Sequence, residues 1–221
     1  MELYDVMRTT FAARQFTADP VPDALLHQIL DHARFAPSGG NRQGWRVIVV
    51  RDQKTREKIA AATVPAAKRY TAQAKAGENP WNSIDPPGID AEAIQRTEPM
   101  QRLIDPVFKS ALVLVLCVDL KVVASIDQYL PRVGVVSGAS VYPFAWNVMM
   151  AARAEGFGTN ITTLAIAEEA QLKEALGIPP HVAVAAIMPM GKPVKQLSKL
   201  KRKPVPEFAM LERWGGTPLA T

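Results

Sequence analysis

Apolar positions recur along the chain in two rhythms, and their alternation sets out the expected elements. Residues 3–14 carry Leu3, Val6, Met7, Thr10 and Phe11 at helical spacing, with Arg8 and Arg14 projecting elsewhere. Pro20 and Pro22 break this pattern, and Asp23 is a good N-cap for a second helix with Leu26, Ile29, Leu30 and Ala33 on its inner face. Residues 45–51 are nearly continuously apolar and predict a strand buried on both faces. Residues 54–62 and 65–76 read as two further helices, and 91–104 as another. Apolar runs at 112–118 and 182–188 predict two buried strands.

The longest helical pattern lies in residues 133–155. Val141, Phe144, Ala145, Val148, Met149 and Ala152 form one apolar face, while Val136, Tyr142, Trp146 and Met150 lie off it. A helix apolar nearly all round needs a second covering surface, either the core or another subunit. Pro143 falls in its first turns, where proline does least harm, and Gly156 and Gly158 end it. A hydroxyl- and amide-rich segment follows at 159–164, then a short helix at 167–176. Few strands among many helices predict an α/β or α+β sandwich with helices covering a small sheet. No linker or internal repeat divides residues 1–221, so one domain is expected.

Two segments stand apart from this pattern. Residues 77–90 hold three prolines and two glycines around Trp81 and Ile84, and read either as a lid over a site or as a solvated loop. Residues 191–221 have little periodicity apart from 205–214, and a tail of this kind must dock on something to be ordered.

Composition narrows the classes. With 221 residues, 48% of them hydrophobic and 21% charged, the chain has a globular profile. The formal charge of +5 is uneven: residues 192–203 hold six basic side chains and no acidic one. Such a segment suits a bound phosphate as well as nucleic acid. The single cysteine, Cys117, excludes an internal disulfide and reads as a buried, inert thiol. No basic leader with an apolar core opens the chain, and no apolar run approaches membrane-spanning length, so a cytoplasmic location is expected. His27, His32 and His181 have no cysteine partner and no metal-binding spacing, so no metal site is expected. Nucleophile elbows, Walker loops and dinucleotide fingerprints are lacking too.

The informative stretch is Pro37-Ser38-Gly39-Gly40-Asn41-Arg42-Gln43-Gly44-Trp45, between a periodic helix and an apolar strand. Glycines let the backbone approach a flat ligand, and Ser, Asn and Gln offer hydrogen bonds. Without Trp45 at the strand mouth, a helix-ending turn would explain it. With Trp45, the stretch suits a planar heteroaromatic ligand.

These residues resemble the Pro-Ser-x-x-Asn-x-Gln-Pro-Trp signature of the FMN-dependent nitroreductase family, with Gly44 where proline is usual. Arg14 and Phe16 resemble the end of an N-terminal phosphate-holding motif, in which Thr10 and Ala12 replace an arginine and a serine. Gly158 with Thr162 and Thr163 resembles the segment lying over the isoalloxazine ring. Lys201-Arg202-Lys203-Pro204, followed by Trp214, resembles the basic element that grips the phosphate.

The resemblance implies an α+β, three-layer α/β/α sandwich around a small mixed sheet, completed by the partner's C-terminal strand in a homodimer. It implies FMN held by Arg14, Pro37, Ser38, Gly39, Asn41, Gln43, Thr162, Thr163, Lys201 and Arg202, with Trp81 on a substrate lid. NADPH or NADH would be the hydride donor, and a nitroaromatic or quinone the acceptor, in ping-pong order. No side chain is assigned as catalytic, because the flavin performs the chemistry and water can supply the proton. Two rivals are a non-catalytic FMN-binding protein for storage or sensing, and a nucleic-acid-associated protein favoured by the pI near 9.4. Against the second, the basic tail carries few aromatics and no nucleic-acid motif.

Overall fold

The computed structural model describes residues 1–220. Four strands, β1 (Trp45–Val50), β2 (Leu112–Asp119), β3 (Gly158–Thr159) and β4 (Val182–Gly191), form one sheet in the order β1-β2-β4-β3. Its helices are α1 (Leu3–Thr9), α2 (Asp23–Ala33), α3 (Gln53–Lys75), α4 (Ala91–Arg96), α5 (Asp105–Lys109), α6 (Tyr142–Ala154) and α7 (Glu169–Leu176).

The sheet separates two cores, as alternation along β2 requires. Leu112, Leu114 and Leu116 pack with Ile29 of α2 and Phe144, Val148 and Met149 of α6. Val113, Val115 and Cys117 face Ile59 of α3, Val107 of α5 and Leu172 of α7. The expected α+β, three-layer arrangement is therefore present. All ladder pairings are antiparallel. The parallel component of the expected mixed sheet is, within one chain, an isolated bridge between Ala12 and Thr159.

Opposite β2, strand β4 carries a bulge. Leu116 pairs with Ala186 and Cys117 with Val184, which leaves Ala185 without a partner. Ala185 and Ala186 consequently face the same core, and the Ala185 carbonyl accepts the Tyr142 hydroxyl at 3.2 Å.

Several sequence expectations need correction. The first helix stops at Thr9, because the Thr9 and Thr10 hydroxyls donate to the carbonyls of Asp5 and Val6 and close its last turn. The two helices expected at 54–62 and 65–76 are one, α3, with Pro65 inside it. Pro65 and Ala61, whose carbonyl the missing N–H would have engaged, are both exposed, so water satisfies that group. The helix expected at 91–104 breaks after Arg96, ahead of Pro99. It resumes as a 3₁₀ turn (Gln101–Leu103) and then α5. Strand β1 is an edge strand with Arg46 and Val49 exposed, so it is not buried on both faces. Asp23 does not cap α2; its carboxylate accepts from Arg51 at 2.6 Å, and Pro22 holds the cap position.

Residues 77–90 are irregular, as expected. The tail contains a 3₁₀ turn (Val205–Glu207) and a bridge between Met210 and Pro218, and exposes Phe208, Leu211 and Trp214. The off-face residues of α6, Tyr142 and Trp146, are also exposed in the single chain.

Candidate functional site

The N-terminal segment beyond α1 becomes extended and runs alongside the end of the sheet. Ala13 N–H donates to the Thr159 carbonyl, Val194 N–H to Gln15, and Thr17 N–H to Lys192. Gly158 makes this approach possible: a Cβ there would lie 2.8 Å from Ala13 Cβ. Asn160, 2% exposed, ties the same segments together by donating its side-chain amide to the Ala13 carbonyl at 2.6 Å. Arg14 is thereby fixed next to residues 160–164, whose own path is held by paired backbone bonds between Thr162 and Ile187.

Three adjoining cavities extend from this junction. The first, about 560 Å³, is cationic, bordered by Arg14, Arg102, Lys109 and Lys195. Asp105 also borders it and pairs with Lys109 at 2.6 Å. Among the described residues Arg14, Arg102 and Lys195 have no carboxylate partner; Arg14 donates to the Ala12 carbonyl, and Arg102 contacts Met100 Sδ. A narrow second cavity, about 180 Å³, shares Arg14 and Arg102 with the first and adds Asn160, Thr162 and Thr163. The third, about 680 Å³, shares Tyr70, Thr163 and Leu164 with the second and extends beneath Trp81. Cations at one end, hydroxyls in the neck and an apolar chamber at the other end make one trough.

Of the residues expected at a site, the trough brings together Arg14, Thr162, Thr163 and Trp81. Pro37, Ser38, Gly39, Asn41 and Gln43 border none of its three cavities. Their loop packs instead on the turn before α6, with Gly39 N–H donating to Ser140 Oγ at 3.0 Å. Inside it, Ser38 Oγ accepts from Gln43 N–H, and Asn41 and Gln43 hold positive φ of 53° and 50°. Gly44 has its own reason to be glycine, since a Cβ would lie 2.9 Å from Val122 Cγ2. Lys201 and Arg202 are exposed and also lie outside the trough. Trp45 is half-buried against the core and stacks on Phe144 with ring centroids 5.1 Å apart.

Sequence reasoning missed Arg102, Lys109 and Tyr70, whereas Lys195 and Asn160 lie in the basic segment 192–203 and the hydroxyl- and amide-rich segment 159–164 that it had marked. The signal for Arg102 was present: Pro99 and Pro106 flank it and forbid the long helix that was expected to hide it. Cys117 lies in the core away from the trough, and burial pushes its thiol up to about 11. Among the described residues, no group of three or more His, Cys, Asp or Glu is placed to hold a metal. No helix among them is long and apolar enough to cross a membrane.

This fold frames a small α+β protein whose trough is cationic at one end and apolar at the other. The nitroreductase family model matches residues 7–192. The chain belongs to the nitroreductase family and is an NAD(P)H-dependent oxidoreductase of that type. It is 25% identical over 191 residues to an NADH dehydrogenase from Thermus thermophilus, covering 83% of this chain and 82% of the relative. It is 39% identical over 62 residues to a nitrobenzene nitroreductase from Ectopseudomonas oleovorans, covering 28% and 27%. Among solved structures, a Desulfovibrio desulfuricans protein described as a nitroreductase in complex with FMN superposes with a TM-score of 0.69. That match is 19% identical and covers 97% of this chain and 98% of the other.

Proposed function

We propose that the protein is an FMN-dependent oxidoreductase that passes hydride from NADPH or NADH to an electrophilic acceptor such as a nitroaromatic or quinone. The observation that carries this reading is the position of Arg14, shared by a cationic cavity and a hydroxyl-lined one. The donor set suits FMN: unpaired guanidinium and ammonium groups suit a phosphate, the neck hydroxyls a polar ring edge, and the apolar chamber an uncharged guest. The fit is also steric, because Gly158 and Asn160 hold the two walls of the neck together.

The chemistry that FMN supplies when bound is hydride transfer at N5, from donor to acceptor in ping-pong order. Arg14, with Arg102 and Lys195, holds negative charge at one end, and Thr162 and Thr163 orient the ring in the neck. A guanidinium in this position also stabilises negative charge that grows on the ring during reduction. No side chain of the trough is needed as a proton donor, since the chamber opens to water.

The reading includes a homodimer, in which each chain's loop 37–43 and the part of its tail beyond Leu197 reach the other's trough. Pro37, Ser38, Gly39, Asn41 and Gln43 then bind the cofactor from the second copy, and Lys201 and Arg202 add to the phosphate grip. Supporting this, the loop is polar and exposed, with two non-glycine residues in the left-handed region. Backbone strain of that kind persists mainly where function requires it. The apolar residues left exposed on α6 and the tail need a second surface too. In the same reading, residues 77–90 are the substrate lid.

Steady-state kinetics test this. Initial rates at varied donor and nitrobenzene concentrations should give parallel double-reciprocal lines, with a preference for NADH or NADPH. A flavin-containing protein that never turns over with either donor would move the reading to FMN storage or sensing.

A further inference from the structure

The amide of Gln73 is 1% exposed and uses three of its hydrogen-bonding positions on one loop and its own helix. Its Oε1 accepts from Trp81 N–H at 3.2 Å and from Arg69 Nε at 3.3 Å; its Nε2 donates to Glu78 Oε2 at 2.9 Å. Glu78 Oε1 in turn accepts Gly88 N–H at 3.0 Å, which ties the far side of the loop to its near side. A Cβ at position 88 would lie 2.9 Å from that carboxylate oxygen, so a side chain there would have to displace the Glu78 carboxylate. Trp81 itself sits at φ 59°, a conformation that bulky side chains rarely adopt. Its Nε1 reaches the Ala66 carbonyl at 3.4 Å, and the Arg69 guanidinium lies 3.9 Å from its ring centroid.

Trp81 borders the 680 Å³ chamber and Arg69 does not, so the guanidinium covers the indole from outside and leaves it facing the cavity. Among the described residues of the same chain, no charged side chain borders this chamber. Its polar side chains include the hydroxyls of Tyr70, Tyr142 and Thr163, and Tyr142 already donates to Ala185. A carboxylate or ammonium on a guest ring would be desolvated there without a counter-charge.

We infer that Gln73 is a positioning residue that sets Trp81 as a preformed roof over this chamber, and that the roofed chamber selects uncharged aromatic acceptors over charged ones. The identity of the guest as an acceptor rests on the oxidoreductase reading above; the preformed roof does not.

The test uses the FMN-loaded protein with 4-nitrotoluene, 4-nitrobenzoate and 4-nitrobenzylamine, which are similar in size but neutral, anionic and cationic. The neutral ring should exceed both charged ones by roughly tenfold or more in kcat/KM, the discrimination that an unpaired buried charge produces. Gln73→Leu and Trp81→Ala should each raise KM for 4-nitrotoluene by about tenfold, and the double variant should go no further, because one residue acts through the other. FMN affinity should be unchanged in Gln73→Leu, since Gln73 borders none of the three cavities.

An unchanged KM in Gln73→Leu, additive effects in the double variant, or equal use of charged and neutral rings would overturn the inference. Should neither donor reduce the wild-type flavin, the oxidoreductase reading fails separately. Calorimetric titration of the same three rings into wild type and Gln73→Leu then decides on the roof, with tighter binding of the neutral ring by wild type expected and equal binding contradicting it.

Discussion

Asn160 donates its side-chain amide to the carbonyl of Ala13 at 2.6 Å and, beside the Ala13 N–H bond to Thr159, joins the segment that carries Arg14 to the segment that carries Thr162 and Thr163. Because Asn160 is buried, its loss leaves the Ala13 carbonyl short of a partner as well as loosening the neck. Asn160→Ala should cost about 1–3 kcal/mol of stability, the usual penalty for an unsatisfied buried acceptor. It should also weaken FMN binding. Chemical denaturation and fluorescence titration with FMN check the two effects, and an unaltered FMN affinity would remove Asn160 from the site.

Gly158 should tolerate no side chain while position 13 is alanine. Gly158→Ala drives two Cβ atoms to 2.8 Å and should destabilise the protein by roughly 1–3 kcal/mol, as overpacking does. Ala13→Gly in the same chain should recover most of that loss. A double variant no more stable than Gly158→Ala would show that the close approach is not the cause.

The cationic end gives a graded expectation. Arg14→Ala and Arg102→Ala should each weaken FMN binding by about tenfold or more, the scale of a charge-assisted hydrogen bond. Arg202→Ala should weaken FMN retention with the fold intact, although Arg202 lies outside the trough of its own chain. Loss in the first two with no change in Arg202→Ala would confine phosphate binding to the near chain and sink the proposed role of the tail.

Asp127 organises the turn before α6. Its carboxylate accepts from Val135 N–H and from Arg132, each at 2.7 Å, with a longer bond from Val136. The Val135 bond first, then the Arg132 side chain, hold its pKa down at about 2. A depressed carboxylate pKa contributes stability above the unfolded value of ~3.9, and that contribution is lost as pH falls through the folded value. Unfolding midpoints should therefore drop more steeply for wild type than for Asp127→Asn between about pH 4 and about pH 2. Parallel profiles would contradict the assignment.

Much of the architecture could be read from the chain, and the failures have physical causes. The strands at Leu112–Asp119 and Val182–Gly191 are apolar on both faces because helices cover both, and their runs show it directly. The same logic misjudged Trp45–Val50, since an apolar run does not reveal that a strand lies at the edge. Proline was over-weighted at Pro65, which faces solvent inside a helix, and under-weighted at Pro99, which ends one. At the site, Arg14, Thr162 and Thr163 were named through the family resemblance, and Trp81 through the proline-rich segment that interrupts the periodicity. Arg102 was not, because the helix expected over 91–104 masked the short turn that carries it. The role of Asn160 was hidden for another reason: its partner, Ala13, is 147 positions away and offers only a backbone carbonyl.

The central claim, a flavin oxidoreductase built around Arg14 and the 160–164 segment, is tested most directly by absorption spectroscopy. The purified protein, or the protein after FMN is added and excess removed, should show flavin bands that bleach on anaerobic addition of NADH or NADPH. Arg14→Ala should retain less flavin under the same treatment. A protein that stays colourless after FMN addition would contradict the account, whatever its fold.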